Sequence, residues 1–109
     1  MQMGIIPGFP HYGITTTGKI YNFRRHRFLR FGTSQAGYKQ AGLTEDGIFY
    51  TMSVARLVLL TFRGNPPLAT ECCHNNGIKA DNRLENLRWD THLSNMQDYK
   101  KHKTELGGK

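Results

Sequence analysis

The sequence predicts a small α+β fold: short antiparallel β-hairpins, one short helix, then a strand–loop–strand–helix unit. Three observations carry this. Glycines and prolines punctuate the first half at the spacing of short strands. Asp46-Gly47 sits between two alternating segments, the tight-turn signal of a hairpin. From Ser53 onward the apolar residues change from a strand period to a helical one.

The elements follow in chain order. In GIIPGFPHYGITTTGKIYNF, the breakers Pro7, Gly8, Pro10, Gly13 and Gly18 leave Tyr12 and Ile14, then Ile20, Tyr21 and Phe23, as strand residues about a Thr-Thr-Gly turn. RRHRFLRF comes next. Between Lys19 and Arg30 the chain carries Lys19, Arg24, Arg25, Arg27 and Arg30 and no acid, which reads as a basic strand or hairpin edge. Such an edge is either a solvated face or a set of phosphate contacts. GYKQAGLTEDGIFYTMS is the Asp46-Gly47 hairpin. In SVARLVLLTF, Val54, Leu57, Val58 and Thr61 recur at helical spacing, with Leu60 beside them. Ser53 is a good N-cap, and Gly64 with Pro66-Pro67 stops the run, so a core helix is expected over 53–62. ATECC is a strand into the core and HNNGIKADNRLEN a turn-rich loop. NLRW is a short returning strand with Leu87 and Trp89 inward. Thr91 is expected to cap a final helix over 91–103, and the tail beyond it to fray. The expected organisation is a basic hairpin region, 1–52, and a second region, 53–109, with a site loop at 72–90, in one compact domain.

The totals narrow the classes. The chain has 109 residues, room for one small domain. Its net charge of +7 points first to a polyanion, most often nucleic acid. Cys72 and Cys73 are the two cysteines, and neighbours in sequence rarely bridge, so reduced thiols and a cytoplasmic location are expected. The start lacks a basic-then-apolar leader, and the apolar run Leu57 to Leu60 is too short to span a membrane.

The chemistry concentrates in ECCHNNGIKADNRLENLRWDTHLSN, Glu71 to Asn95. Zinc fits poorly. Structural zinc sites use separated ligand pairs, and adjacent cysteines on a strand point to opposite sides. A hydrolytic site fits better: His74 ends a strand at the mouth of the loop. Asn95 lies one turn into the final helix, on a face with Asp98, Tyr99 and His102.

Cys73-His74, Asp81-Asn82-Arg83, Glu85-Asn86-Leu87-Arg88-Trp89, Thr91 and Asn95 together resemble the HNH endonucleases of the ββα-metal (His-Me finger) fold. The closest likeness is to the phage- and intron-encoded, homing-type branch. VARLVLLTFRGNPP is similar to that branch's upstream helix, and GFPHYGITTTGKIYNF looks like the NUMOD4 module that often precedes it. The resemblance implies a metal-dependent DNA endonuclease acting on double-stranded DNA, as a monomer or a homodimer. His74 would be the general base, since imidazole is able to accept a proton near neutral pH. Asn86 would not touch phosphate; it would hydrogen-bond the loop and hold His74 in place. Asn82 and Gly77 would shape the loop. Asn95 would bind one divalent cation, Mg²⁺ or Mn²⁺. Arg83 and Arg88 would join Lys19, Arg24, Arg25, Arg27 and Arg30 in contacting DNA. Two positions depart from the family pattern. Cys73 stands where relatives carry an acid or a histidine; a thiolate ligand would favour Ni²⁺ or Zn²⁺, and the reading preferred is that Cys73 does not ligate. Ala55 stands where the family usually has histidine. A chain that had lost its metal site would be a non-catalytic DNA-binding module on the same surface.

Overall fold

The computed structural model describes residues 2–68 and 70–91. Their strands form three antiparallel sheets. β1 (Met3–Ile6), β2 (Phe9–Thr15), β3 (Ile20–Asn22) and β4 (Arg27–Phe28) make a four-stranded sheet in that order. β5 (Gly32–Thr33), β6 (Lys39–Glu45) and β7 (Ile48–Ser53) make a second. After α1 (Val54–Arg63), β8 (Thr70–His74) and β9 (Leu87–Thr91) make a third, a two-stranded hairpin.

The local chemistry explains these boundaries. β6 and β7 close on Asp46 (φ 51°) and Gly47 (φ 78°), so both central residues are left-handed, as the hairpin turn requires. Ser53 Oγ accepts from Arg56 N at 3.2 Å and caps α1, and Gly64 at φ 79° ends it. The basic segment differs from expectation. Only Arg27–Phe28 is strand; residues 23–26 form a turn, with His26 at φ 54°. Asn22 Oδ1 accepts from Arg24 N at 2.9 Å and Arg25 N at 3.1 Å, offering the backbone a local alternative to the ladder.

One core joins the sheets to the helix. Ile6, Tyr12, Ile14 and Ile20 of the first sheet, Ala41 and Leu43 of the second and Leu87 of β9 pack with Val54, Ala55, Leu57, Val58 and Leu59. The buried side of α1 is therefore wider than a single stripe, because the helix meets all three sheets. Each fully buried Ile or Leu contributes about 1.5–3 kcal/mol. Ala55, 3% exposed, sits inside this core. Trp89 and Leu84 pack on its edge, so the base of the hairpin that carries the polar loop is fixed to the helix.

Thr91, expected to open the final helix, is the last residue of β9. The rest of that expected helix, with Asn95 and His102, lies outside the described residues.

Candidate active site

β8 and β9 pair from Thr70↔Thr91 to His74↔Leu87, and Asn75 N continues the ladder to Asn86 O at 2.7 Å. His74 therefore stands where the ladder gives way to the loop. Gly77, at φ 74°, donates its N–H to His74 O at 3.0 Å and turns the chain away. A turn of 3-10 helix, Leu84–Asn86, returns it to β9.

The His74 side chain is 8% exposed. Its Nε2 lies 2.8 Å from Asn82 Oδ1, and the Tyr38 ring packs 5.9 Å from its ring, tilted by 35°. Among the described residues its Nδ1 has no hydrogen bond, so the ring is anchored through Nε2. Asn86 is buried at the centre of the loop. Its Oδ1 accepts from Asn76 N at 3.1 Å, and its Nδ2 donates to Asn76 Oδ1 at 3.0 Å and Asp81 O at 2.9 Å. It thus ties three points of the loop together, and among the described residues its side chain makes no hydrogen bond to the His74 ring.

Cys73 is 1% exposed, and its sulfur donates to Glu71 O at 3.6 Å. Cys72 is half-buried in a shallow cleft beside Tyr38, Arg56 and Glu71. Burial first, then the neighbouring Cys73, pushes its thiol up to about 12, so it stays protonated at neutral pH; Arg56 pulls the other way. Among the described residues no three His, Cys, Asp or Glu side chains gather as a metal cluster.

The basic residues divide into two groups. Arg83 forks onto Asp81, Nε to Oδ1 at 2.7 Å and Nη2 to Oδ2 at 2.8 Å, and reaches Glu85 Oε2 at 3.0 Å. Arg88 bonds Asp90 Oδ2 at 2.9 Å and Asn75 Oδ1 at 2.5 Å. Both are compensated by carboxylates within the hairpin. Lys19, Arg24, Arg25, Arg27 and Arg30 are exposed. Arg24 and Arg25 line a cavity of about 350 Å³ with His11, Asn22, Glu45 and Asp46. Arg24 Nη2 lies 2.7 Å from His11 Nε2, and Glu45 Oε1 is buried there with no hydrogen-bond partner among the described residues.

The Asp81–Arg83 pair gives a pH prediction. Hydrogen bonds from Arg83 hold the Asp81 carboxyl well below the usual carboxylate range. A group depressed on folding contributes stability that is full above its unfolded value and is lost as pH falls toward its folded one. The urea midpoint of the native chain should therefore fall between about pH 5 and pH 3 by more than that of Asp81→Asn. Equal acid sensitivity would mean the pair does not hold the loop.

Sequence reasoning missed three contacts. Tyr38 packs on His74 from 36 residues away. Lys79 Nζ donates to Ala36 O at 2.6 Å and lies 4.9 Å from the centre of the Tyr38 ring. Asn82, read only as a loop-shaping residue, bonds His74 directly. Arg83 and Arg88 were read as DNA contacts, and the structure pairs both with acids two residues away, Asp81, Glu85 and Asp90.

The arrangement, a β-hairpin with a buried, anchored histidine at its mouth packed on a short helix behind small antiparallel sheets, is a fold shared with a solved HNH homing endonuclease. The chain superposes over 95% of its length on 60% of a solved chain described as "DNA binding and cleavage by the HNH homing endonuclease I-HmuI", with a TM-score of 0.87 and 30% identity. In sequence it is 30% identical over 99 residues to the DNA endonuclease I-HmuI of Bacillus phage SP01, covering 90% of this chain and 57% of that protein. It is 33% identical over 87 residues to an uncharacterised HNH endonuclease of Acanthamoeba polyphaga mimivirus, covering 80% of this chain and 26% of that one. The chain thus spans little more than half of the phage relative and about a quarter of the mimivirus one. No family model matches it. The resemblance to HNH endonucleases read from the sequence is shown by both comparisons. Among the described residues no helix is long and apolar enough to cross a membrane.

Proposed function

We propose that the chain is a metal-dependent DNA endonuclease of the HNH type, with His74 as its general base. The observation that carries this reading is the state of His74: buried, anchored through one ring nitrogen, and placed at the mouth of the loop. His74 takes a proton from a water molecule. That water attacks the phosphorus, the bond to the 3′ oxygen breaks, and the products are a 5′ phosphate and a 3′ hydroxyl. A bound divalent cation, Mg²⁺ or Mn²⁺ with Asn95 as a ligand, would neutralise charge at the leaving oxygen. The burial of Cys73 supports leaving it out of the ligand set. Asn86 keeps the loop in the shape that presents His74.

Double-stranded DNA is the proposed substrate. Lys19, Arg24, Arg25, Arg27 and Arg30 supply exposed charge for its phosphates, whereas Arg83 and Arg88 are engaged by carboxylates and serve the hairpin first. The N-terminal sheet is read as a NUMOD4-like grip. Cytoplasmic location, a phage or intron origin, and a monomer or homodimer complete the reading.

The test is relaxation of supercoiled plasmid by the purified chain in EDTA, Mg²⁺, Mn²⁺ and Ni²⁺. Nicking in Mg²⁺ or Mn²⁺ and none in EDTA is expected. Activity in Ni²⁺ alone would return Cys73 to the ligand set. DNA binding without cleavage of plasmid or of a target-site library, in any metal, would make this a binding module and overturn the enzyme.

A further inference from the structure

The β2–β3 turn reaches the site loop. Thr15 N donates to Lys19 O at 2.8 Å, Gly18 N to Thr15 O at 3.0 Å, and Lys19 N to Thr15 Oγ1 at 3.0 Å, so the turn is closed by its own bonds. It then takes hold of the loop. Leu84 N donates to Thr16 O at 2.7 Å. Gly18, at φ +88°, lies so close to Asn82 that a Cβ on it would stand 3.0 Å from Asn82 O and 3.1 Å from Asn82 Cβ. Asn82 itself is 6% exposed, and its Oδ1 faces His74 Nε2.

We infer that Asn82, clamped by the β2–β3 turn, is the positioning residue of His74: it fixes the Nε2–H tautomer and so makes Nδ1 the proton-accepting atom. The chemistry is direct. An amide oxygen only accepts, so the nitrogen facing it must carry the hydrogen. In a neutral imidazole the other nitrogen then carries the lone pair. With the Asn82 amide in this orientation, a histidine holding its proton on Nδ1 would leave Oδ1 buried without a donor, at a cost of about 1–3 kcal/mol. Tyr38 restricts the ring from one face, and Asn82 selects its tautomer. The first sheet thus acts on the reacting group as well as on DNA. Through Gly18 and Thr16 it sets the position of Asn82, and through Asn82 that of His74.

This inference rests on His74 being the base, but its first test does not need cleavage. Histidine ¹⁵N spectra of the metal-free, DNA-free chain, recorded above the histidine titration range, report the tautomer of each of the five histidines. Comparison with His74→Gln assigns His74. The expected spectrum has His74 as the Nε2–H tautomer. Asn82→Ala should give a tautomer mixture, and Asn82→Asp, which keeps an accepting oxygen, should restore the native one. In single-turnover cleavage Asn82→Ala should lower the rate about 10- to 100-fold with DNA affinity unchanged, the usual size of an effect exerted through a partner. Gly18→Ala should shift both readouts in the same direction. A native spectrum showing the Nδ1–H tautomer overturns the inference whatever the variants do. So does an unchanged His74 signal in folded Asn82→Ala. Wild-type behaviour of Gly18→Ala would remove the turn from the chain of support. A chain with the predicted tautomer and no cleavage would leave the positioning intact and overturn the nuclease reading.

Discussion

His74→Ala should abolish metal-dependent nicking of supercoiled plasmid, lowering the rate by about 10²–10⁴-fold, the range a positioned general base supplies. The residual rate would come from whatever still binds DNA and polarises the phosphate. The substitution also touches stability. It leaves Asn82 Oδ1 buried without its donor, a cost of about 1–3 kcal/mol, against a total stability for small domains of about 5–15 kcal/mol. The variant should therefore fold with a lower urea midpoint, and the activity loss must be read on the folded fraction. Two features separate a lost base from a loosened loop. DNA affinity should not change, because the exposed cations, Lys19 and Arg24 to Arg30, belong to the first sheet and its connection to the second. The rate should also stay low at temperatures well below the variant's melting transition. Cleavage that survives at near-native rate would remove His74 from the chemistry.

How much of this was legible in the sequence depends on the distance over which each signal acts. The Asp46-Gly47 turn and α1 are local events. A left-handed dipeptide and a Ser-capped amphipathic run carry their instructions within a few residues. The strand–loop–strand unit was equally plain, since Cys72 and Cys73 on one side and Leu87 and Trp89 on the other flank a loop that has little to bury. The basic segment misled because charge says nothing of backbone conformation. Asn22 Oδ1 takes two backbone donors and bends the chain at Arg24 and Arg25, leaving just two residues of strand. The part of the site made by tertiary contact was not legible at all. Nothing near Tyr38 indicates that its ring meets His74, and nothing in Thr-Thr-Gly indicates that the turn presses on Asn82. The roles of Asn82 and Asn86 differ for the same reason. Both are loop asparagines in one motif, and only the folded hairpin tells which holds the imidazole and which holds the loop.

Asn86→Ala should destabilise the chain by about 3 kcal/mol, the loss of three side-chain hydrogen bonds at a buried position where Asn76 N and Asp81 O are left without partners. Asn86→Asp should be at least as damaging. The carboxylate still accepts from Asn76 N, but it sets a charged oxygen against Asn76 Oδ1 and Asp81 O, where two donors had been. This ordering discriminates. If Asn86 acted only by filling space, the nearly isosteric aspartate would be the milder change. The damage should spread along the network. Asn76 Nδ2 also donates to Asp81 Oδ2 at 2.8 Å, and Asp81 receives the Arg83 fork, so releasing Asn86 loosens the whole segment from Asn76 to Arg83. That segment includes Asn82. Both variants should therefore lose cleavage together with more stability than Asn82→Ala, which breaks the single bond to His74. Urea midpoints and single-turnover rates measured on the same preparations check the contrast. An Asn86→Asp chain as stable as the native one would show that the two donated bonds contribute nothing, and the loop would then owe its shape to the β8–β9 ladder and the Gly77 turn alone.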